Sequence, residues 1–380
     1  MNGLLKCSGS STTKNIGDYI QTVAQEQFWD QVDCFVEREE LNAFQSAEDV
    51  SVIMNGWYMW KPQNFPPSAC INPLFVSVHI NPKCAKDFFG RATIEYLKKH
   101  EPIGARDRGT QALLEQHGIK SYYSSCLTLT LGLKYKTDEK NGKVIFVDPY
   151  IFRKETPKLI AKSLAKACVH WLKHPIKIHR LAKKILYNPT RLSSISPWLD
   201  RHLCMASFYE IYSKLFDDDL LFNAEYISHT VCNVGVTDDD KMQQARNLVK
   251  LYAGAKLVIT SRIHAALPCL GVETPVIFIP SSGLDATREN AGRFDGIEDL
   301  FNVIRWKNGR LEVISDSVKT QLHDGRIGNN ICLNNPENYK TYRDYLIEIA
   351  TAFCADNQER VNELKNTPPP DNRETANRYY

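Results

Sequence analysis

Two short runs of the 380-residue chain combine side chains that suit acid–base and anion chemistry. In Thr260-Ser261-Arg262-Ile263-His264, a guanidinium and an imidazole stand two positions apart. The apolar Leu257–Ile259 precede them and Ala265-Ala266-Leu267 follow, so the segment reads as a strand's carboxyl end turning into a helix. A helix's first turn carries unbonded N–H groups and the positive end of its dipole, which suits an anion. Arg262 adds a planar fork matched to carboxylate or phosphate, and His264 a group that exchanges protons near neutrality. A bound dianion would favour the imidazolium, so the substrate itself would generate the acid. The same residues would also serve as an Arg–acid ion pair and a hydrogen-bonded structural histidine.

The second run is Arg106-Asp107-Arg108. Ile103–Ala105 ends a strand, and Thr110 opens a helix that Gly118 closes. At a sheet's ligand-facing edge, Arg106 and Asp107 would clamp an anion or orient a hydroxyl; otherwise Asp107 is a helix cap beside a surface arginine. Fainter candidates are Gly17-Asp18 before a helix, Asn55-Gly56-Trp57 after a strand, and Ser281-Ser282-Gly283 after another. Each is equally a plain helix start or turn. His79 reads as a core histidine and Cys126 as a small buried hydrophobe. No H-x-x-x-H, carboxylate cluster or D-x-D carries a convincing metal site, and Asp217-Asp218-Asp219 reads as solvated charge. No G-x-x-x-x-G-K-[ST] phosphate loop or G-x-S-x-G elbow is present.

The elements that must position these groups alternate between strand and helix. Strand candidates fall at 32–36, 50–54, 74–79 and 103–105, with a β-rich run over 121–131. They resume at 144–152, 224–231, 256–260, 276–279 and 301–306. Helical patterns between them favour parallel sheets built from β-α units. Asp18 is expected to cap the helix over 19–28, and residues 238–254 place Met242, Ala245, Val249 and Tyr252 on one stripe. The turn-prone 138–143 separates a Rossmann-like domain, 1–137, from a second, 143–335, which carries a helical insertion at 153–222. A helix within 336–365 crosses back, and 366–380 forms a disordered tail. Two such α/β domains facing across a cleft, a GT-B-like plan, bind ligands between the carboxyl ends of their sheets.

Residues 153–191 hold eleven Lys and Arg against the single Glu155. Leu159, Leu164, Cys168, Trp171 and Leu172 form an apolar stripe there. It would pack on the second domain, or give peripheral contact with an anionic membrane or a pyrophosphate-linked acceptor. Net charge is only +3, too mild for a nucleic-acid partner, and 43% hydrophobic residues exclude wholesale disorder. Eleven isolated cysteines suggest a reducing compartment. No signal-like start and no apolar run near 20 residues appears, so a cytoplasmic protein is expected.

LVITSRIHAALPCLGVETPVIFI (257–279), PIGARDRGTQALLEQHGIKSYYSSCLTLTL (102–131) and NIGDYIQTVAQEQF (15–28) together resemble the polysaccharide pyruvyl transferase family. SVIMNGWYMW, EYISHTV and AGRFDGIEDLFNVIRW are secondary echoes in the same order. The resemblance implies a GT-B-like transferase that needs no cofactor. It would move the pyruvyl unit of phosphoenolpyruvate onto two hydroxyls of one sugar in a glycan or lipid-linked oligosaccharide, releasing phosphate. It implies His264 as the catalytic histidine, Arg262 as a donor ligand, and Arg106, Asp107, Gly17 and Asp18 as further site residues. Asp107 would then accept or orient a hydroxyl proton, and Asn55, Ser261, Ser281 and Ser282 would line the substrate. Where many relatives carry an arginine after the second domain's first strand, this chain reads Asp148-Pro149, with Arg153 the nearest basic residue. A GT-B glycosyltransferase using a nucleotide sugar and a glycan-binding protein without activity are the alternatives.

Overall fold

The structure is a computed structural model that describes residues 1–6, 15–149, 157–187, 191–230, 235–280, 294–307 and 310–370; for 157–164 and 191 only the backbone is described. Eight strands form in the first half: β1 (Asn2–Lys6), β2 (Cys34–Glu37), β3 (Val50–Ile53), β4 (Gly56–Tyr58), β5 (Ile71–Leu74), β6 (Val78–Ile80), β7 (Ile103–Ala105) and β8 (Ser121–Tyr123). They make two parallel four-stranded sheets, β2-β1-β3-β5 and β4-β6-β7-β8, where the sequence suggested one. The break has a local cause. Gly56 (φ 118°) and Ser77 (φ 57°) turn the chain between β3 and β4 and between β5 and β6. The sheets still touch: the Gly104 N–H of β7 donates to Phe75 O, just past β5, at 3.0 Å. The strand expected over 74–79 is therefore two strands.

The second half carries β9 (Val144–Val147), β10 (Glu225–Ile227), β11 (Leu257–Thr260), β12 (Val276–Phe278), β13 (Asn302–Lys307) and β14 (Arg310–Val313). They form one sheet, β10-β9-β11-β12-β13-β14, parallel except for the β13–β14 hairpin. The helices are α1 (Ile16–Glu26), α2 (Pro82–Phe88), α3 (Arg91–Lys99), α4 (Arg108–Gln116), α5 (Gly132–Tyr135), α6 (Pro157–Lys173) and α7 (Pro175–Lys184). After these come α8 (Pro197–Tyr212), α9 (Asp218–Asn223), α10 (Asp238–Gly254), α11 (Ile263–Gly271), α12 (Asp316–Lys319), α13 (Tyr339–Cys354) and α14 (Gln358–Asn366).

Helices α6–α9 lie between β9 and β10 in sequence and cover one face of the six-stranded sheet, where Ile178, Leu181, Met205 and Phe208 meet Phe146, Ile259 and Ile277. The apolar stripe expected on α6 is not the buried one. Ala167 is buried and Trp171 half-buried, whereas Cys168 is exposed and Leu172 keeps 82% of its surface. Contact between α6 and α8 favours a small residue at the seam, which turns the larger ones outward. Leu159 and Leu164 lie outside the described side chains.

Two helix starts also shift. Asn15, not Asp18, caps α1 by accepting the Gly17 N–H at 3.1 Å, and α4 starts at Arg108 under the cap of Asp107 rather than at Thr110. The β-rich 127–131 is a fully buried 3₁₀ turn, because α11 packs directly on it. That approach needs Gly271: a Cβ there would lie 2.6 Å from Thr128 O.

One apolar core runs through both halves, built by Ile20 and Val23 of α1, Leu129, Val249 and Tyr252 of α10, and Leu267 of α11. Helix α13 joins the same core; Phe353, Tyr342 and Tyr345 meet Trp29, Tyr123 and Tyr122 at 6.2, 4.9 and 5.6 Å between ring centres. Lys365 Nζ donates to His100 O at 3.1 Å, fixing α14 on the first half. Among the described residues no helix is long and apolar enough to cross a membrane.

Candidate active site

At the carboxyl end of β11, Thr260 Oγ1 donates to Val147 O at 3.0 Å and accepts the Arg262 N–H at 2.9 Å. Arg262 is thereby fixed as the residue preceding α11. Its Nε donates to Asp148 Oδ2 at 2.8 Å, and the guanidinium side chain stays 42% exposed. The same carboxylate oxygen accepts the His229 N–H at 3.0 Å. Asp148, which stands where an arginine was expected, is thus the partner of Arg262. It sits at φ 41°, a conformation that Asp tolerates better than most residues. Ser261 Oγ donates to Asp148 O at 2.7 Å, which makes Ser261 part of this brace.

His264, in the first turn of α11, is 5% exposed and faces α1. A Cβ at Gly17 would lie 2.8 Å from His264 Cβ and 2.9 Å from Nδ1, so only glycine lets the two helix starts meet. On the ring's other side, His264 Nε2 is 3.0 Å from Gln21 Nε2. Sequence reasoning missed Gln21. The available signal was its spacing, one helical turn after Gly17 on the same face.

The seam has a second tie. The Ile16 N–H donates to His229 O at 2.9 Å, while His229 Nε2 pairs with Tyr252 OH at 2.6 Å. Burial holds the His229 pKa down at about 4, with Asp148 opposing the shift and Arg262 adding to it. His229 is therefore a neutral ring whose backbone joins Asp148 to the start of α1.

Arg106 and Asp107 lie at the end of β7, fully buried. Asp107 Oδ1 accepts the Thr110 N–H at 2.9 Å and the Thr110 hydroxyl at 3.0 Å. Oδ2 meets His79 Nδ1 at 2.6 Å and Arg106 Nη2 at 3.3 Å. Burial alone would raise the Asp107 pKa, but His79, Arg106 and the Thr110 N–H outweigh it and hold the carboxyl below its usual range. His79 is a core histidine with a charged partner. None of Arg106's three guanidinium nitrogens makes a hydrogen bond among the described residues. A buried polar group left in that state costs about 1–3 kcal/mol and more when charged, which marks the spot for a water or an anionic ligand.

Cys126 links the two clusters. Burial raises its thiol pKa, while nearby Arg106 and hydrogen bonds from Thr128 and Gln21 work against the rise. Gln21 thus touches both His264 and the thiol that Arg106 approaches. Asn55, after β3, donates to Gln21 O at 3.3 Å and accepts from Gln25 at 2.5 Å. A crevice of about 10 Å³, room for one water, lies here, lined by Lys6, Asp18, Gln21, Arg38 and Asn55 among others. The structure therefore gathers Gly17, Asp18, Asn55 and His264 around Gln21, with Arg262 beside His264 in sequence and Arg106 reached through Cys126. Ser281, Ser282 and Arg153 lie outside the described residues. Among the described residues no three His, Cys, Asp or Glu side chains are grouped to hold a metal ion.

The profile of the polysaccharide pyruvyl transferase family matches residues 15–283. The chain belongs to this family. The match begins at the Asn15 cap of α1 and runs past β12, so it takes in every described residue gathered around Gln21 except those of β1. Membership makes the chain a transferase of pyruvyl groups to polysaccharide and sets aside the nucleotide-sugar alternative. The family's acceptor is a polysaccharide. No curated protein and no solved structure matches the chain.

Proposed function

We propose that the enzyme transfers the pyruvyl unit of phosphoenolpyruvate to two hydroxyls of one sugar, in a polysaccharide or its lipid-linked precursor, giving a cyclic ketal and free phosphate. The observation that carries this reading is the meeting of the first turns of α1 and α11 on His264, beside Arg262. Two helix starts bring their positive dipole ends to one place, and a dianion with a phosphate and a carboxylate suits it, although the first N–H groups of α1 are already bonded to His229 O and Asn15. The Nη groups of Arg262 make no hydrogen bond among the described residues and serve the phosphate. Arg106, buried and unsatisfied, serves the carboxylate or the charge that develops during transfer.

In this mechanism His264 protonates the methylene carbon of phosphoenolpyruvate, leaving an oxocarbenium-like centre at C2. One sugar hydroxyl attacks that carbon and returns a proton to His264. The C–O bond to phosphate then breaks, and the second hydroxyl closes the ring, its proton leaving with the phosphate. Arg262 and the helix ends take up the phosphate charge, so the step calls on no metal or cofactor. Asp107, with both oxygens engaged, is a positioning residue that holds Arg106 and His79, rather than a free base. Asp18 and Asn55, at the polar crevice, face the sugar.

This reading treats 1–137 and 143–335 as the two GT-B-like units, with α13 and α14 crossing back. Val169, Leu172, Ile176, Ile195 and Trp198 are exposed on α6–α8 and nearby, among Lys166, Lys173 and Lys183. They support a peripheral contact of 153–191 with an anionic membrane that carries the acceptor. Salt-sensitive sedimentation with phosphatidylglycerol vesicles tests that contact, and its absence would remove it.

The deciding experiment is release of phosphate from phosphoenolpyruvate across a glycan panel, with the ketal product weighed by mass spectrometry. His264→Ala should lose about 10²–10⁴-fold in turnover while remaining folded. Near-normal turnover would take His264 out of the mechanism.

A further inference from the structure

We propose that Trp57 and Trp60 form a stacking platform for a pyranose of the acceptor, the sugar next to the one that reacts. The inference rests on the pyruvyl-transfer reading and adds a subsite to it. Trp60 keeps 66% of its surface exposed and Trp57 is half-buried, with ring centres 4.4 Å apart at a 50° tilt. The residues between them, Tyr58 and Met59, are buried at 1% and 0% exposure. The chain therefore anchors inward and presents both indoles outward.

The presentation is braced. Glu39, itself buried, accepts from Arg38 Nε at 3.1 Å and from the Lys61 N–H at 2.9 Å, and its carbonyl accepts from Asn64 at 2.6 Å. Arg38 lies over the Trp57 ring at 5.4 Å. The loop bearing Trp60 is thus tied to the buried Arg38 and Glu39 just past β2, and the two adjacent indoles form one aromatic surface.

Its position supplies the occupant. Arg38 also lines the polar crevice with Asp18, Gln21 and Asn55. Gly56, adjacent to Trp57, leaves only 3.3 Å between its would-be Cβ and Gln21 Oε1, and Gln21 reaches His264. The exposed indoles thus stand one layer from the imidazole, with the buried Arg38, Asn55 and Gln21 between them. A polysaccharide reacting near that imidazole must keep its next ring at the surface, where the two indoles are presented. A pyranose has one face of C–H groups that stacks on an indole and an edge of hydroxyls that bonds to charged and amide side chains; an aromatic platform beside a polar crevice matches both.

The test compares wild type with Trp60→Ala and Trp57→Phe, checked for unchanged thermal melting. In transfer assays, KM for an oligosaccharide acceptor should rise about tenfold in Trp60→Ala, with kcat and the KM for phosphoenolpyruvate held. An unchanged oligosaccharide KM overturns the platform. A glycan array without phosphoenolpyruvate separates this claim from the functional reading. Retention of pyranose polymers that Trp60→Ala abolishes supports the platform even if wild type releases no phosphate from phosphoenolpyruvate, which would refute only the transfer reading. Retention that is identical in the variant, or no retention of any pyranose by wild type, overturns it.

Discussion

Gly17→Ala tests the helix contact directly, because propensity and packing predict opposite results. By propensity, alanine in a helix is better than glycine by roughly 1 kcal/mol. The added methyl, however, would sit 2.8 Å from His264 Cβ, 2.9 Å from its Nδ1 and 3.1 Å from Asn15 Oδ1. Ordinary carbon contacts lie at about 3.5–4.0 Å, so relief needs about 0.7–1.2 Å of separation. His264 Cβ moves only with the backbone of α11, so rotating the imidazole cannot provide it. The two helix starts must part. Overpacking of this kind costs about 1–3 kcal/mol, leaving a net loss of about 0–2 kcal/mol after the helical gain. A 1 Å misplacement of a reacting group costs about 10²-fold in rate. Phosphate release from phosphoenolpyruvate should therefore fall about a hundredfold, while the stability read from urea denaturation falls by no more than about 2 kcal/mol. A more stable variant with wild-type turnover would refute the contact and the site built on it.

Other perturbations separate brace from chemistry. Asp148→Asn should fold, since Asn accepts the positive φ, but weaken phosphoenolpyruvate binding by loosening the brace that orients Arg262, a loss that outweighs the gain from removing a negative charge near the anion. Asp148→Ala adds backbone strain of about 1–2 kcal/mol and leaves the His229 N–H unbonded at about 1–3 kcal/mol, a larger shift in urea. Asp107→Ala strips a buried arginine of its carboxylate and α4 of its cap, so a loss of about 3–5 kcal/mol is expected in urea denaturation. Because the Asp107 carboxyl is held below its ordinary value, its contribution is present above the usual carboxyl range near pH 4 and disappears as pH falls below it. His229 acts in a different window. Its folded pKa of about 4 lies below the ordinary value near 6.5, so the unfolded chain binds the extra proton first. Stability should fall by up to about 1.4 kcal/mol per pH unit between those values as the solution is acidified, and His229→Gln should flatten that slope.

The alternation of strand and helix was legible because each β-α unit carries its own periodicity, and the match extended to β7, β11 and α10. The placement of Arg262 and His264 was legible, because a strand end and helix start coincide in one short run. Other features depend on distant residues. β1 has two leucines and no β-branched residue, and it becomes a strand by burial between β2 and β3. LTLTL alternates like a strand, yet the approach of α11 folds it into a turn. Gln21 looks like any polar helical residue until α11 is placed against it. Asp148 read as a missing arginine, and only the fold shows which arginine it holds.

The shared core of α1, α10, α11 and α13 has a consequence for how the enzyme works and is made. Halves joined through packed side chains cannot swing apart like a jaw without tearing that packing, so on the proposed reading substrates enter by local movement rather than by domain opening. It also means that neither half is a self-sufficient piece. Cut at 138–143, each would expose the apolar flank that now meets the other, and the imidazole of one would lose the glycine ledge supplied by its mate.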